Sequence, residues 1–195
     1  MPAQFTQNLL LANQQAAGTL LNTYTTSKSV INPQALLTLP PNYLTVGTML
    51  RVKAQGGISN IVTSQPTFTF EVRLGPTANI IVHTSQAVLT TTTAHTLIPF
   101  DYEVQLRVDS VGSGTAAKML AQGVLRGIMF VISGAVADPT AGVGTIMCNN
   151  TAPAVGTGFD STVANIMDLW VGISVSSASN GIQIYNYTVE QIGQG

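Results

Sequence analysis

Charge is scarce in this chain. Lys and Arg total 7 and Asp and Glu 8 among 195 residues, 8% of the sequence, against about 25% in ordinary globular domains. There is no basic tract and no acidic tail, and the formal net charge is −1. Phosphate binding requires clustered Lys and Arg, so nucleic acid is not expected as a direct partner. Cysteine occurs once, at Cys148, which excludes an intrachain disulfide. Its expected role is a small buried apolar residue, with a nucleophile or an interchain bridge as the alternatives. The two histidines, His83 and His95, form no His-x-His pair. No calcium-type acidic loop is present, so neither a metal nor a cofactor is expected. Long apolar runs are missing as well. "GIMFVISGAVA" (127–137) is too short to cross a bilayer. The N-terminal "MPAQFTQNLLLANQQAAGTLL" lacks the basic start and apolar middle of a signal peptide. No membrane partner is expected, and the anticipated place of synthesis and assembly is a reducing cytoplasm.

What the chain has instead is 45% hydrophobic residues, ample for a core, with polarity supplied by Gly, Thr, Ser and Asn. Disorder needs low hydrophobicity and high charge, and neither holds. A nearly neutral surface also means little repulsion between copies, which suits a crowded assembly.

The dominant pattern is alternation with period two, the signature of half-buried strands. In "FTFEVRLG" (68–75), Phe68, Phe70, Val72 and Leu74 fall on one face and Glu71 and Arg73 on the other. In "TMLRVKAQG" (48–56), Leu50, Val52 and Ala54 oppose Arg51, Lys53 and Gln55, with Gly56-Gly57 read as a turn. The longest run is "FDYEVQLRVD": Phe100, Tyr102, Val104, Leu106 and Val108 against Asp101, Glu103, Gln105, Arg107 and Asp109. Further strands are expected in 79–85, 87–100, 118–133, 164–179 and 181–193, and a Gly/Pro/Asn-rich loop over 134–160. The expected fold is all-β, a jelly-roll-like β-sandwich of about eight antiparallel strands covering 36–195. Residues 1–35, with Lys28 their only charge, read as an N-terminal arm, extended or a short helix. Deleting 1–30 is then expected to leave a folded sandwich.

Eight of the fifteen charges lie opposite the apolar face on three of these strands: Arg51, Lys53, Glu71, Arg73, Asp101, Glu103, Arg107 and Asp109. If the strands share one sheet, these residues form a single outer face of mixed sign. That face is either solvated, with cross-strand pairs, or a subunit interface whose register the charges set.

No catalytic set emerges. His95, Asp101 and a serine can be assembled into a triad on paper, but no Gly-x-Ser-x-Gly elbow supports it. Asp101 and Glu103 can be read as paired carboxylates, though Arg107 nearby favours an ion-pair cluster. The Gly-rich stretches at 112–114 and 155–161 lack the spacing and lysine of a phosphate loop. Trp170, Tyr185 and Tyr187 are expected in the core, with a sugar-stacking platform as the alternative. The expectation is a protein without enzymatic activity.

Several blocks, in order, carry a resemblance: "LTLPPNYLTVGTMLRVKAQGGISNI", "TFTFEVRLG", "GSGTAAKMLAQG" and "APAVGTGFDSTVANIMDLWVGISVSSASNGIQIYNYTVEQI". Together, over about residues 36–193, they resemble a group of tailed-bacteriophage virion proteins of jelly-roll type. The resemblance implies a structural protein of the virion, assembled in the host bacterial cytoplasm. A capsid decoration or minor capsid protein that stabilises the shell is the first expectation, as a homotrimer bound to the major capsid protein or other virion proteins. A tail-fibre or receptor-binding module contacting host glycan or protein is the alternative. An exposed aromatic pocket would favour the latter, and the 134–160 loop offers only Phe159 for one.

Overall fold

The computed structural model describes residues 8–61, 63–131, 144–149 and 155–193. The first seven residues of the anticipated arm and much of the 134–160 loop lie outside the described residues. Apart from one 3-10 turn, Pro33–Ala35, every regular element described is a strand. These are β1 (Leu9–Asn13), β2 (Leu21–Asn22), β3 (Lys28–Ser29), β4 (Leu37–Leu39), β5 (Met49–Asn60), β6 (Thr67–Leu74) and β7 (Ile80–Thr84). There follow β8 (Val88–Thr90), β9 (His95–Ser110), β10 (Lys118–Arg126), β11 (Phe130–Val131), β12 (Thr145–Met147), β13 (Asn165–Ile173) and β14 (Gly181–Gly193).

The strands form two antiparallel sheets. The first runs β1-β14-β5-β9-β10-β12, with β2 also on β14; the second runs β11-β8-β6-β13-β3, with β4 on β13 and β7 on β6. The chain crosses from β5 to β6, returns from β8 to β9, and crosses again from β13 to β14. The fold is therefore the β-sandwich that the alternation predicts. The alternating residues Leu50, Val52, Ala54, Phe68, Phe70, Val72, Leu74, Tyr102, Val104 and Leu106 all have no solvent exposure. Phe70 joins the layers, its ring 4.9 Å from that of Tyr102 and 5.7 Å from that of Phe100.

Two expectations change. Gly56-Gly57 is not a turn, for β5 runs through both to Asn60. A Cβ at Gly56 would lie 2.1 Å from the Gln183 carbonyl oxygen and 3.0 Å from the Phe100 ring. The glycine is there for close approach of strand and ring, not for chain reversal. The N-terminal segment is extended, and from Asn8 onward it belongs to the sandwich. β1 and β2 pair with β14 in the first sheet, and β3 pairs with β13 in the second. Tyr24, Val30, Ile31 and Ala35 are buried in the common core. Gln14 fastens the segment down: its buried side chain donates to the Ile184 carbonyl at 2.9 Å and accepts from the Asn32 amide at 3.0 Å. Gln14→Ala takes the acceptor from the half-buried Asn32 amide and leaves the Ile184 carbonyl only the Gly18 amide, and should lower stability by about 1–2 kcal/mol in urea unfolding.

A candidate ligand-binding groove

The eight charges anticipated on one face are divided between two. Arg51, Lys53, Asp101, Glu103, Arg107 and Asp109 lie on β5 and β9 in the first sheet. Glu71 and Arg73 lie on β6, which pairs with β13, β7 and β8 in the second. Alternation fixes the side of a strand on which a residue points but not the sheet the strand joins, which is why the single face does not form.

On the second sheet the charges are locked together. Arg73 donates to Glu71 at 2.8 and 2.5 Å, and the Ser27 hydroxyl donates to the same carboxylate at 3.2 Å. The Arg73 guanidinium sits 3.9 Å from the centre of the Trp170 ring. The Trp170 indole N–H and the Ser29 hydroxyl both donate to Asp168, at 2.7 and 2.9 Å. Burial pushes the Asp168 carboxyl upward, against the pull of those donors and of Arg73. Trp170 is thus committed to internal contacts, and Tyr187 is buried in the core.

The first sheet presents an open lattice. Arg51 pairs with Glu190 across the β5–β14 ladder, Arg126 with Asp101 at 2.5 Å across β9–β10, and Arg107 with Asp109 at 3.3 Å along β9. Lys53 stands opposite Glu103 in register. Glu190 and Arg126 were missed as partners at the sequence level, although both occupy outward positions of alternating segments. Pairs that water still reaches, as it does here, contribute little. Arg51→Gln should lower stability by under about 1 kcal/mol, and the loss should shrink in high salt, as measured by urea unfolding at two ionic strengths.

The paper triad does not assemble. His95 and Asp101 are six residues apart along β9, on the order of 20 Å in extended chain. Asp101 is held by Arg126, and His95 Nε2 lies 3.3 Å from the Thr91 hydroxyl. Asp101 and Glu103 do not form a carboxylate pair, since each faces a cation on a neighbouring strand. His83 and Cys148 are buried. The Cys148 thiol is pushed up to about 12 by burial, far from a thiolate nucleophile. Among the described residues no group of three or more His, Cys, Asp or Glu is placed to hold a metal ion. Among them, too, no helix is long and apolar enough to cross a membrane. Phe159 is fully buried and offers no exposed ring.

The remaining aromatic candidate, Tyr185, is 40% exposed. Its exposure follows from a β-bulge. Ile184 pairs with Gly56 and Asn186 with Gln55, so Tyr185 is the extra residue on β14. Ile182 and Ile184 point inward, and Tyr187 and Val189 point inward again, so the phase slips across 185–186 and turns both residues out. Bulges re-aim side chains in this way and are common beside binding sites. Beside Tyr185 runs one transverse row in register: Asn186 on β14, Gln55 on β5, Asp101 on β9 and Arg126 on β10. Asn186 donates to Gln55 and Gln55 to Asp101, both at 3.4 Å. Ile98, Pro99 and Ile128 complete an open groove of about 680 Å³. Leu97, next to this wall, holds φ +50, a left-handed backbone rare for leucine.

No family model and no curated protein matches the sequence. Among solved structures the chain is similar to the CBM2 module of the evolved Dit of Lactobacillus casei BL23 phage J-1. The TM-score is 0.39 at 10% identity, covering 97% of this chain and 98% of that one.

Proposed function

We propose that this chain is a structural component of a tailed-phage particle and that it acts by attachment rather than turnover. The observation that carries the reading is the outer face of the first sheet. Its arginines are paired with Glu190, Asp109 and Asp101, its polar side chains are outward, and it carries a groove with an exposed tyrosine. The sequence resemblance over 36–193 supports the particle as the setting, and the blocks that carry it include β4–β6 and β13–β14. The groove favours the receptor-binding position on the particle.

A second reading, decoration of the shell as a homotrimer, is favoured by a different feature. The edge strand β1 carries Leu9 and Leu10, 52% and 54% exposed, an apolar pair suited to packing against another subunit. Immunogold labelling of purified particles discriminates the two. Label at the tail tip is the expected result, label over the head establishes decoration, and particles without the chain defeat both. Light scattering of the free chain at micromolar concentration tests the trimer, which a monomer mass removes.

A further inference from the structure

We propose that the groove beside Tyr185 holds one pyranose unit of a neutral oligosaccharide, stacked on Tyr185, with its hydroxyls bound by Asp101, Gln55 and Asn186. The proposal rests on the attachment reading in taking binding as the groove's purpose.

The match is chemical on each side. A pyranose has an apolar C–H face and a rim of hydroxyls, each both donor and acceptor. The groove sets one exposed aromatic ring and the apolar side chains of Ile98, Pro99 and Ile128 beside a row of amides and a carboxylate. The amides hold capacity in reserve. The bonds they donate, Asn186 to Gln55 and Gln55 to Asp101, are both 3.4 Å, beyond the usual range for N–H···O, so a ligand hydroxyl replaces weak contacts rather than strong ones. Arg126, by contrast, donates to Asp101 at 2.5 Å and orients that carboxylate. It is a positioning residue.

Charge selects a neutral ligand. The cation lining the groove, Arg126, is already balanced by Asp101, so the lining offers no unmatched cation to a carboxylate or sulfate. The backbone is shaped for the site as well. A bulge presents Tyr185, Gly56 lets the strands close beneath it, and left-handed Leu97 precedes Ile98 and Pro99. Unfavourable backbone of this kind gathers at functional sites.

The test is saturation-transfer NMR on the full chain with malto-, cello- and galacto-oligosaccharides, and with sialyllactose and a heparin fragment as anionic probes. At least one neutral oligosaccharide should bind with Kd about 1 mM or tighter. Tyr185→Ala should weaken it about tenfold or more, the scale of a lost aromatic contact. Asp101→Asn should weaken it too, with both variants retaining the wild-type circular dichroism spectrum. Failure of every neutral probe, preference for the anionic ones, or indifference to Tyr185→Ala overturns the proposal. Particle loading is read separately. A wild-type chain that is present in particles but binds none of the sugars sinks this proposal alone. A sugar-binding chain absent from particles sinks only the virion reading.

Discussion

A chain lacking residues 8–31 should lose about 3 kcal/mol or more of unfolding free energy, and should bind hydrophobic dyes that the intact protein excludes. The size of the effect is set by what the segment leaves behind, because ordering it costs conformational entropy that its own contacts largely offset. Deletion removes β1 and β2 from β14, uncovering backbone groups between Gly181 and Gln191. It removes Tyr24, Val30 and Ile31 from the shared core, exposing the apolar surface they cover. It also strips the Ser27 hydroxyl from Glu71 and the Ser29 hydroxyl from Asp168, two carboxylates that are 8% and 4% exposed. Glu71 keeps Arg73 and Asp168 keeps Trp170, so each position loses one hydrogen bond to a charged group, about 1.5–3 kcal/mol, and the two account for much of the estimate. Urea unfolding followed by circular dichroism measures it. A truncated chain with an unchanged midpoint would show the segment to be a detachable arm, as its composition alone implies.

That contrast shows where the sequence was legible. Strands carrying long alternation, β5, β6 and β9, could be read down to which side chains are fully buried, since period two and burial are the same fact in a half-buried sheet. The N-terminal segment resisted because β1, β2 and β3 are five, two and two residues long. Strands so short show no period, and their stability comes from β13 and β14, more than 130 residues away in sequence. Sheet membership of β6 was hidden for a related reason: no local signal says that Glu71 will face Trp170 instead of Arg51. Gly56 misled because a glycine required for close approach looks the same in sequence as one required for a turn.

The groove was half legible. Its row of Gln55, Asp101 and Arg126 falls on outward positions of readable strands, but the registers that align them are nonlocal. The bulge left a trace in "IQIYNYTV", where the inward spacing changes from two to three between Ile184 and Tyr187. A strict period-two reading groups Tyr185 with Tyr187. The slip separates them, and it turns one tyrosine into core and the other into a surface for binding.

Acidification should destabilise the folded protein between pH 6.5 and about 4, and His83 should account for up to about 3 kcal/mol of that loss. His83 lies on β7 opposite Val72, 5% exposed, its ring 6.3 Å from that of Tyr102. Its Nε2 has no hydrogen-bond partner, and a Cβ at Gly123 would lie 3.0 Å from that atom. Burial lowers its pKa from 6.5 to about 4. The unfolded chain therefore takes up a proton near pH 6.5, whereas the folded protein resists it until about pH 4. Across that window the unfolded state holds more protons, so stability falls as pH falls, by at most about 1.4 kcal/mol per pH unit. Asp168 acts in the opposite direction at the acid end. Its carboxyl is raised by burial, so its protonation favours the folded state as pH drops. The net curve should accordingly be shallower than His83 alone would give, and the clean measure is a difference between variants. His83→Gln keeps a polar side chain of similar reach but cannot titrate. Urea unfolding of the two proteins at pH 7.5, 6.5, 5.5 and 4.5 should show their free energies converging as pH falls, with the variant gaining on the wild type at each acid step. Parallel curves would mean that His83 titrates near pH 6.5 in the folded state, and hence that water reaches the space between β7 and β10.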